Sequence, residues 1–189
     1  MTIANRKFES TIEMPRTDIE DDQHGVYLPL ARAMGDEAAA YPDELVAVAL
    51  TANAAWAGDA AAFFGTTRTY GDNTISNYTT DALAAASFET AITTMQSYVG
   101  HNDRPLNVVP YGLLVGPKLR GTAFDILQND MRALLTATAS TYVPAQNRNK
   151  GLVTAYVSSR LVGTYDDYWY VLAEKGGIRG PVYQQRKAA

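Results

Sequence analysis

The chain has 189 residues, of which 47% are apolar and 19% are charged, a length and composition that suit one packed domain or two small ones. Its 16 basic and 20 acidic residues give a net charge of -4, which argues against a generally basic nucleic-acid-binding protein. No cysteine and two histidines are present, which excludes disulfides and thiolate metal sites and leaves little material for a histidine-based site.

The charges are divided unevenly along the chain. Residues 1–60 carry 11 acidic and 4 basic side chains, whereas residues 61–189 carry 9 acidic and 12 basic ones. The pattern has two interpretations: two solvated faces, or complementary surfaces that meet between copies of the chain. No apolar run approaches the ~18 residues of a membrane span, and residues 1–16 lack a signal-peptide core, so we expect neither feature.

The first predicted element is a strand with one solvated face. Apolar and polar side chains alternate up to Pro15, and a helix start with an acidic first turn is predicted at residues 17–20. Because no hairpin partner follows closely, the strand must pair elsewhere or lie exposed. Its less polar face would carry Phe8, Ser10, Ile12 and Met14.

A long helix is the second predicted element, since apolar residues recur every three or four positions between Val26 and Trp56. Pro42 lacks an amide donor, so we expect it to kink this helix or to begin a second one. About 30 helical residues would rise ~45 Å, more than the ~40 Å diameter of a compact chain of this length. The helix must therefore fold back or be buried against another copy. Residues 45–64, with Asp59 as their one charge, are predicted to be buried nearly all round.

The middle of the chain predicts a loop and two more helices. Residues 65–80 are polar and rich in Gly, Thr and Asn, which is typical of a long loop. A helix that ends at Gly100 is predicted from the apolar stripe Phe88, Ile92, Met95 and Val99. A third helix is predicted over Leu119–Leu135, with an inward face of Phe124, Leu127, Met131 and Leu134.

Short apolar runs separated by turns predict a small sheet in the second half. The run Tyr111–Val115 predicts a central strand, and residues 136–150 form a polar loop. Further strands are predicted at residues 152–157, 168–172 and 182–185, with a hairpin turn at Lys175-Gly176-Gly177. Together these elements predict an α+β fold with a long helix and a small sheet flanked by helices.

Few residues suit catalysis or ligand binding. Residues 112–118 superficially resemble a phosphate loop, but the spacing is wrong and Pro117 lacks a donor that such a loop needs. The run Glu20-Asp21-Asp22 beside His24 is interpreted as a solvated helix start, since adjacent helical carboxylates point to different faces. Arg148 and Lys150, without interleaved aromatic residues, make a weak footprint for nucleic acid. We therefore predict no enzyme, and no catalytic, cofactor-binding or metal-binding residue.

Two rival sites remain open. Asp166 and Asp167 either form a turn before a packed strand or serve as the carboxylate pair of a carbohydrate-active hydrolase. The loop at residues 65–80 either connects two elements or holds a ligand in a small binding module. The aromatic residues next to the carboxylate pair are Tyr165, Tyr168, Trp169 and Tyr170.

Several stretches keep the order and spacing of a known family over nearly the whole chain. They are Arg6-Lys7-Phe8-Glu9, Pro15-Arg16-Thr17-Asp18-Ile19-Glu20-Asp21-Asp22, Ala33-Met34-Gly35, Tyr41-Pro42-Asp43-Glu44-Leu45-Val46, Phe63-Phe64-Gly65-Thr66, Ile75-Ser76-Asn77, Pro110-Tyr111-Gly112-Leu113-Leu114-Val115-Gly116-Pro117-Lys118-Leu119, Trp169-Tyr170-Val171-Leu172 and Pro181-Val182-Tyr183-Gln184-Gln185-Arg186. In this order they resemble the Mu-like phage major head subunit family. The chain is shorter than members of that family and resembles one truncated at both ends.

The resemblance implies the tailed-phage, or Hong Kong 97-like, capsid fold. Residues 1–14 would then belong to the extended loop, residues 15–64 to the spine helix of the peripheral domain and residues 65–160 to the axial domain. Residues 161–189 would form late strands and a hairpin between these two domains. The polar loop at residues 138–150 would lie near the capsomer axis.

The resemblance also implies a function. The chain would be a structural subunit, made in the cytoplasm of a bacterial host, that assembles with identical copies into pentamers and hexamers and then into a virion shell around DNA. It would need no cofactor and no membrane; scaffold and portal proteins are further candidate partners, and packaged DNA would lie nearby without specific binding. The candidate subunit-contact residues are Phe8, Ile12, Met14, Arg148 and Lys150.

Overall fold

The computed structural model describes residues 8–20, 25, 27–55, 60–70, 72–135 and 142–180. The chain divides between Ala52 and Asn53 into two compact units. The helices are α1 Arg16–Glu20, α2 Tyr27–Thr51, α3 Ala85–Gln96 and α4 Arg120–Leu127. The strands are β1 Arg68–Tyr70, β2 Asn73–Ile75, β3 Val109–Val115, β4 Met131–Leu135, β5 Tyr142–Gln146, β6 Thr154–Val157, β7 Trp169–Lys175 and β8 Ile178–Arg179. Outside the described residues lie Asp21, Asp22, His24, Asp59 and the strand predicted at 182–185.

The first unit consists of α1, α2 and a segment at residues 8–14 that runs along α2. The ring of Phe8 meets that of Tyr41 edge-on at 4.8 Å between centroids. The hydroxyl of Ser10 lies 3.5 Å from the sulfur of Met34. Met34 is nearer to the start of α2 than Tyr41 is. Residues that come later in the segment thus contact earlier parts of the helix, and the two run antiparallel.

The segment at residues 8–14 is not a β-strand, which corrects the first sequence prediction. Its alternation is real, because Ile12 and Met14 are half-buried whereas Thr11 and Glu13 are exposed. Alternation of apolar and polar residues indicates that one side of a segment is buried. A helix can cover that side as well as a second strand can. The apolar side of this segment is covered by its own helix rather than by a ladder.

Helix α2 continues through Pro42, so Pro42 does not begin a second helix, which corrects that alternative. Its 25 residues rise ~37 Å. None of its described residues is buried, and among residues 45–64 the described side chains are exposed or half-buried within one chain. The expectation of burial nearly all round is therefore wrong for the chain by itself. The most exposed large apolar side chains of α2 are Leu28, Val48 and Leu30.

The second unit is built on a four-stranded sheet with the order β6-β3-β7-β8. Strand β3 pairs parallel with β6 and antiparallel with β7, which makes it the central strand that the run Tyr111–Val115 predicted. Strands β7 and β8 form a hairpin, and Gly176 and Gly177 adopt φ values of 58° and 79° at its turn. Two adjacent positive φ angles suit glycine, so the predicted hairpin at this turn is confirmed.

Helices α3 and α4 cover the face of the sheet toward which Leu113 and Val115 point. Phe88 is fully buried and Ile92 nearly so, which confirms the first half of the predicted stripe of α3. The helix ends at Gln96 rather than at Gly100, so Val99 lies outside it and forms a bridge with Pro105. Ser87 accepts a hydrogen bond from the amide of Ala84 and so helps to begin this helix. The core of the unit consists of Leu83, Phe88, Ile92, Leu113, Val115, Ala123, Ile126, Leu127 and Val153.

The predicted third helix is too long, and the polar loop after it is too long as well. Helix α4 ends at Leu127, and residues 131–135 form β4 instead, with Met131 exposed. Strand β5 lies within the predicted loop and pairs antiparallel with β4. The apolar spacing that favoured a helix at 131–135 also fits a strand, and pairing with β5 decides between them. Residues 136–141, which include the start of the predicted axial loop, lie outside the described residues.

Gly116 follows β3 at a point where the backbone of Leu161 passes close by. A Cβ on Gly116 would overlap the carbonyl oxygen of Leu161, whereas a Cβ on Gly121 in α4 would meet nothing within 4 Å. Gly116→Ala should lower the free energy of unfolding by about 1–3 kcal/mol, because backbone must move to admit the methyl group. Gly121→Ala, the matched control, should raise it by about 0.5–1 kcal/mol through helix propensity. Chemical denaturation measures both; equal effects would contradict the close approach at Gly116.

Candidate subunit-contact surfaces

The five predicted contact residues fall into two sets. Phe8, Ile12 and Met14 lie in the segment along α2 of the first unit. Arg148 and Lys150 lie in the turn that follows β5 in the second unit and are both exposed. The structure therefore gives each set its own local surroundings.

In the first set, Phe8 already contacts Tyr41 of the helix of its own chain. Ile12 and Met14 are half-buried, but Phe8 keeps 52% of its surface exposed beside Tyr41. An apolar ring that is held by one neighbour and open on its other side can still be covered by a second molecule. Of the three, Phe8 offers the most apolar surface.

In the second set, the turn belongs to the base of a two-stranded sheet formed by β4 and β5, which we call the β4–β5 hairpin. Pro144 lies opposite Ala133 within its ladder. A two-stranded hairpin is marginally stable alone, so it needs support from the rest of its unit. Its large exposed apolar side chains are Met131, Tyr142 and Val143.

Asn147 supplies the first support at the base of the hairpin. Its side-chain amide donates to the carbonyl oxygens of Ile126, at 2.9 Å, and Asn129, at 2.8 Å. Its backbone amide donates to the carbonyl oxygen of Asp130, and its side-chain oxygen accepts from the amide of Asn149. Asn147 is 5% exposed, so these bonds satisfy polar groups that water cannot reach. They join the end of α4 to both strands of the hairpin.

Glu89 of α3 supplies the second support. One of its carboxylate oxygens accepts hydrogen bonds from the guanidinium of Arg132 in β4, at 2.6 Å, and from the side-chain amide of Asn149, at 2.9 Å. Burial of the Glu89 carboxylate raises its pKa, but these two hydrogen bonds and the charges of Arg132 and Arg148 outweigh it. The pKa therefore lies below its ordinary value, and the carboxylate holds its charge in the folded chain.

The two predicted cations differ in their partners. Lys150 forms an ion pair with Asp130, while the charge of Arg148 acts on Glu89. Both line an open depression of about 820 Å³ at the base of the hairpin. Since it holds both signs of charge, this depression has no selectivity for an anion. Its lining residues are Asp130, Met131, Gln146, Asn147, Arg148 and Lys150.

The rival hydrolase site has no support in the structure. The ammonium of Lys118 lies 3.2 Å from Asp166 and 2.8 Å from Asp167. The ammonium donates hydrogen bonds to Asp167 and Asp166, which raise the pKa of Lys118, so a cation lies between the two carboxylates. The indole of Trp169 donates to the carbonyl oxygen of Asp81, which fixes it as part of the fold. This arrangement is an ion pair at a turn.

The rival ligand-binding loop is fixed to its own unit. Residues 65–80 contain the hairpin of β1 and β2, and Asn77 bonds to the backbone of Phe63 and Gly65. The hydroxyl of Tyr98 donates to the carbonyl oxygen of Ser76 at 2.6 Å. These contacts count against a loop that is free to close over a ligand.

Glu20, from the predicted acidic run, pairs with Arg16 at 2.8 Å. Within the described ranges, no group of three or more His, Cys, Asp or Glu side chains is placed to hold a metal ion. In the same ranges, no helix is long and apolar enough to cross a membrane.

Sequence reasoning found the turn at residues 148–150 but missed the residues that fix it. The sequence prediction places Asn147 in a polar loop and assigns no role to Glu89. One signal was available, because Glu89 is the sole charged residue in the 12 residues of α3. A lone charge on an otherwise apolar and Thr-rich helix suggests a specific partner elsewhere in the chain.

A family model described as the Mu-like prophage major head subunit gpT matches residues 1–82 and 74–154. The chain is 49% identical over 45 residues to the major capsid protein of Escherichia phage Mu, covering 24% of this chain and 15% of that protein. It is 42% identical over 89 residues to the Mu-like prophage FluMu major head subunit of Haemophilus influenzae, covering 43% of this chain and 29% of that protein. The matched regions thus span less than a third of either relative.

Solved structures with the same fold come from the capsid of bacteriophage JBD30. One, in which the capsid is decorated with minor capsid protein trimers, matches with a TM-score of 0.65 at 23% identity, covering 82% of this chain and 74% of that chain. A second JBD30 capsid structure matches with a TM-score of 0.63 at 23% identity, covering 81% and 74%. The predicted α+β phage capsid fold is therefore confirmed.

Asn147→Ala should destabilise the second unit by about 1–3 kcal/mol, because the buried carbonyls of Ile126 and Asn129 lose their donor. Asn129→Ala is the matched control, since that exposed side chain bonds to Asp125 within the same surface turn. Thermal and chemical unfolding of both variants measure the difference. An Asn147→Ala variant as stable as the control would contradict the role given to Asn147.

Glu89 should add a pH dependence to stability. Its folded pKa lies below the ordinary 4.5, so the unfolded chain takes up this proton first as the pH falls. The stabilising contribution is therefore present above about pH 4.5 and is lost as the pH falls through the folded pKa. Wild type should exceed Glu89→Gln in stability at neutral pH, and the two should converge in acid. A pH-independent difference between them would contradict the ion pair with Arg132.

Proposed function

Because the chain belongs to the Mu-like prophage major head subunit gpT family, we propose that it is a structural subunit of a phage or prophage capsid. The observation that carries this proposal is the match of the family model to residues 1–82 and 74–154. The chain would be made in the bacterial cytoplasm and reside in the virion shell, where it needs no catalytic group. Its mechanism would be the burial of surface between identical copies.

The exposed apolar surfaces of the chain support this role. A closed shell requires each copy to present two different surfaces that fit each other, since its contacts are heterologous. The chain has the exposed face of α2 in one unit and the β4–β5 hairpin in the other. Apolar area buried between copies contributes roughly 25 cal/mol per Å² before the costs of association.

The contact elements that we propose are those predicted from the sequence. In the first unit they are Phe8, Ile12 and Met14, and in the second the β4–β5 hairpin with Arg148 and Lys150. The excess of acidic residues over 1–60 and of basic residues over 61–189 supports attraction between unlike parts of neighbouring copies. Pentamers and hexamers would form through such contacts, with scaffold and portal proteins as further partners and DNA as unspecific cargo.

The same family membership suggests an assignment of regions. Residues 1–14 would belong to the extended loop, residues 15–64 to the peripheral spine and residues 65–160 to the axial domain, with residues 161–189 between the domains. The continuous helix α2 supports the second assignment, since a spine needs one long helix. The hydrogen bonds of Glu89 and Asn147 hold the β4–β5 hairpin at its base. This favours a position of the hairpin near the capsomer axis, where a projecting element would meet the same element of other copies.

Self-association of the purified chain tests the proposed function. We expect light scattering to show an average mass that rises with protein concentration, and negative-stain microscopy to show rings or shells. A strict monomer at the highest concentration reached would overturn the proposal for this chain by itself.

Ile12→Asp should reduce the assembled fraction by about tenfold or more at equal concentration, the equivalent of about 1.4 kcal/mol at one contact. The reason is that a carboxylate placed in an apolar contact loses its water without gaining a partner. Thr11→Asp adds the same charge on the exposed side of the segment and is the matched control. Circular dichroism should show both variants folded. Normal assembly of Ile12→Asp would mean that this segment is not an interface.

A further inference from the structure

We propose that Glu89 is a positioning residue for subunit contact, which holds the β4–β5 hairpin in one direction relative to α3. A neighbouring copy would then meet the hairpin in a single orientation. This inference rests on the proposed function, because it gives a role to a surface through which copies would assemble.

The hairpin has little apolar burial to fix its own direction. Among the described strands, β4 and β5 pair with each other and with no third strand. Tyr142 is 68% exposed and Met131 is 55% exposed, so these two large side chains point into solvent rather than into a core. Specific polar contacts must therefore set the direction in which the hairpin projects.

The bonds of Asn147 by themselves would act as a hinge. They end on Ile126, Asn129 and Asp130, all of which lie at the point where the hairpin leaves α4. These bonds fix where the hairpin begins relative to α4. A further contact, with a second helix, is needed to fix its angle relative to that helix.

Glu89 provides that further contact. Its carboxylate oxygen accepts from Arg132, which lies within the ladder of β4, and from Asn149, which lies in the turn after β5. Strand β4, near its start, and the turn after β5 are therefore tied to one atom of α3. The atom is itself well placed, because Phe88 and Ile92 on the same helix are anchored in the core.

The Glu89–Arg132 ion pair should affect the orientation of the hairpin more than the free energy of unfolding. The side chains of Arg132 and Glu89 are 24% and 44% exposed, and ion pairs open to water contribute little to the free energy of unfolding. A hydrogen bond remains directional even where its net contribution is small. Loss of Glu89 should therefore change the angle of the hairpin more than it changes the melting temperature.

Spin labels can measure that angle directly. The chain contains no cysteine, so Gln96→Cys at the end of α3 and Val143→Cys on β5 define one label pair in the full-length chain. Both positions are exposed. We expect a narrow distance distribution that broadens with Glu89→Ala, while the melting temperature falls by less than about 4 °C. An unchanged distribution would overturn the inference.

Assembly is the second readout. Glu89→Ala and Arg132→Glu should each lower the assembled fraction by about tenfold at equal concentration. Glu89→Gln keeps an acceptor oxygen for both Arg132 and Asn149, so it should retain the narrow distribution and assembly. Thr90→Ala is the matched control, because Thr90 is the next residue on α3 and its hydroxyl bonds within its own helix.

The outcomes distinguish this inference from the proposed function. A broadened distribution with lost assembly in Glu89→Ala, and neither change in Glu89→Gln, supports the positioning role. A broadened distribution with normal assembly overturns it. If the wild-type chain stays monomeric, the proposed function fails for this chain, and the inference fails with it as a statement about subunit contact. In that case the labels still report whether Glu89 fixes the hairpin.

Discussion

Burial of Phe88 is the contact on which the second unit depends. Its ring is fully enclosed in a cluster with Leu113 and Val115 of the central strand. Truncation of a buried Phe typically costs about 3–5 kcal/mol, a large share of the 5–15 kcal/mol that stabilise most domains. Burial of Phe88 holds the neighbouring Glu89 in place, and Glu89 in turn orients the β4–β5 hairpin through its bond to Arg132. Apolar packing thus fixes the position of α3, and polar contacts fix the surface hairpin relative to α3.

Local patterns predicted those elements whose burial is decided within one segment. The stripe of Phe88 and Ile92 fixed α3, and the apolar run Tyr111–Val115 fixed the central strand. The same reasoning failed at residues 131–135, where the spacing fits a helix or a strand and pairing with β5 decides. It failed again at residues 8–14, because alternation shows that one side is covered without showing what covers it.

Pro42 shows how context overrides a local rule. A proline inside a helix removes one hydrogen bond, yet 25 residues of α2 continue on both sides of it. The alanine-rich sequence around it has high helix propensity, which offsets the loss of a single bond. The length of the helix was therefore predicted better than its continuity.

The candidate contact surfaces were only partly readable from the sequence. Arg148 and Lys150 lie within the predicted polar loop, and the structure places them in the turn after β5. Glu89 stayed hidden because its partners Arg132 and Asn149 lie 43 and 60 residues away. A bond over that separation leaves no local pattern, and the fold alone brings the three side chains together.

Pro144 gives the β4–β5 hairpin an asymmetry between its two edges. Pro144, opposite Ala133, has no amide to donate to a strand at the outer margin of β5. A stray strand approaching that margin would find a donor missing and a ring in its path. Open-ended stacking of hairpins into fibrils is thereby discouraged along β5.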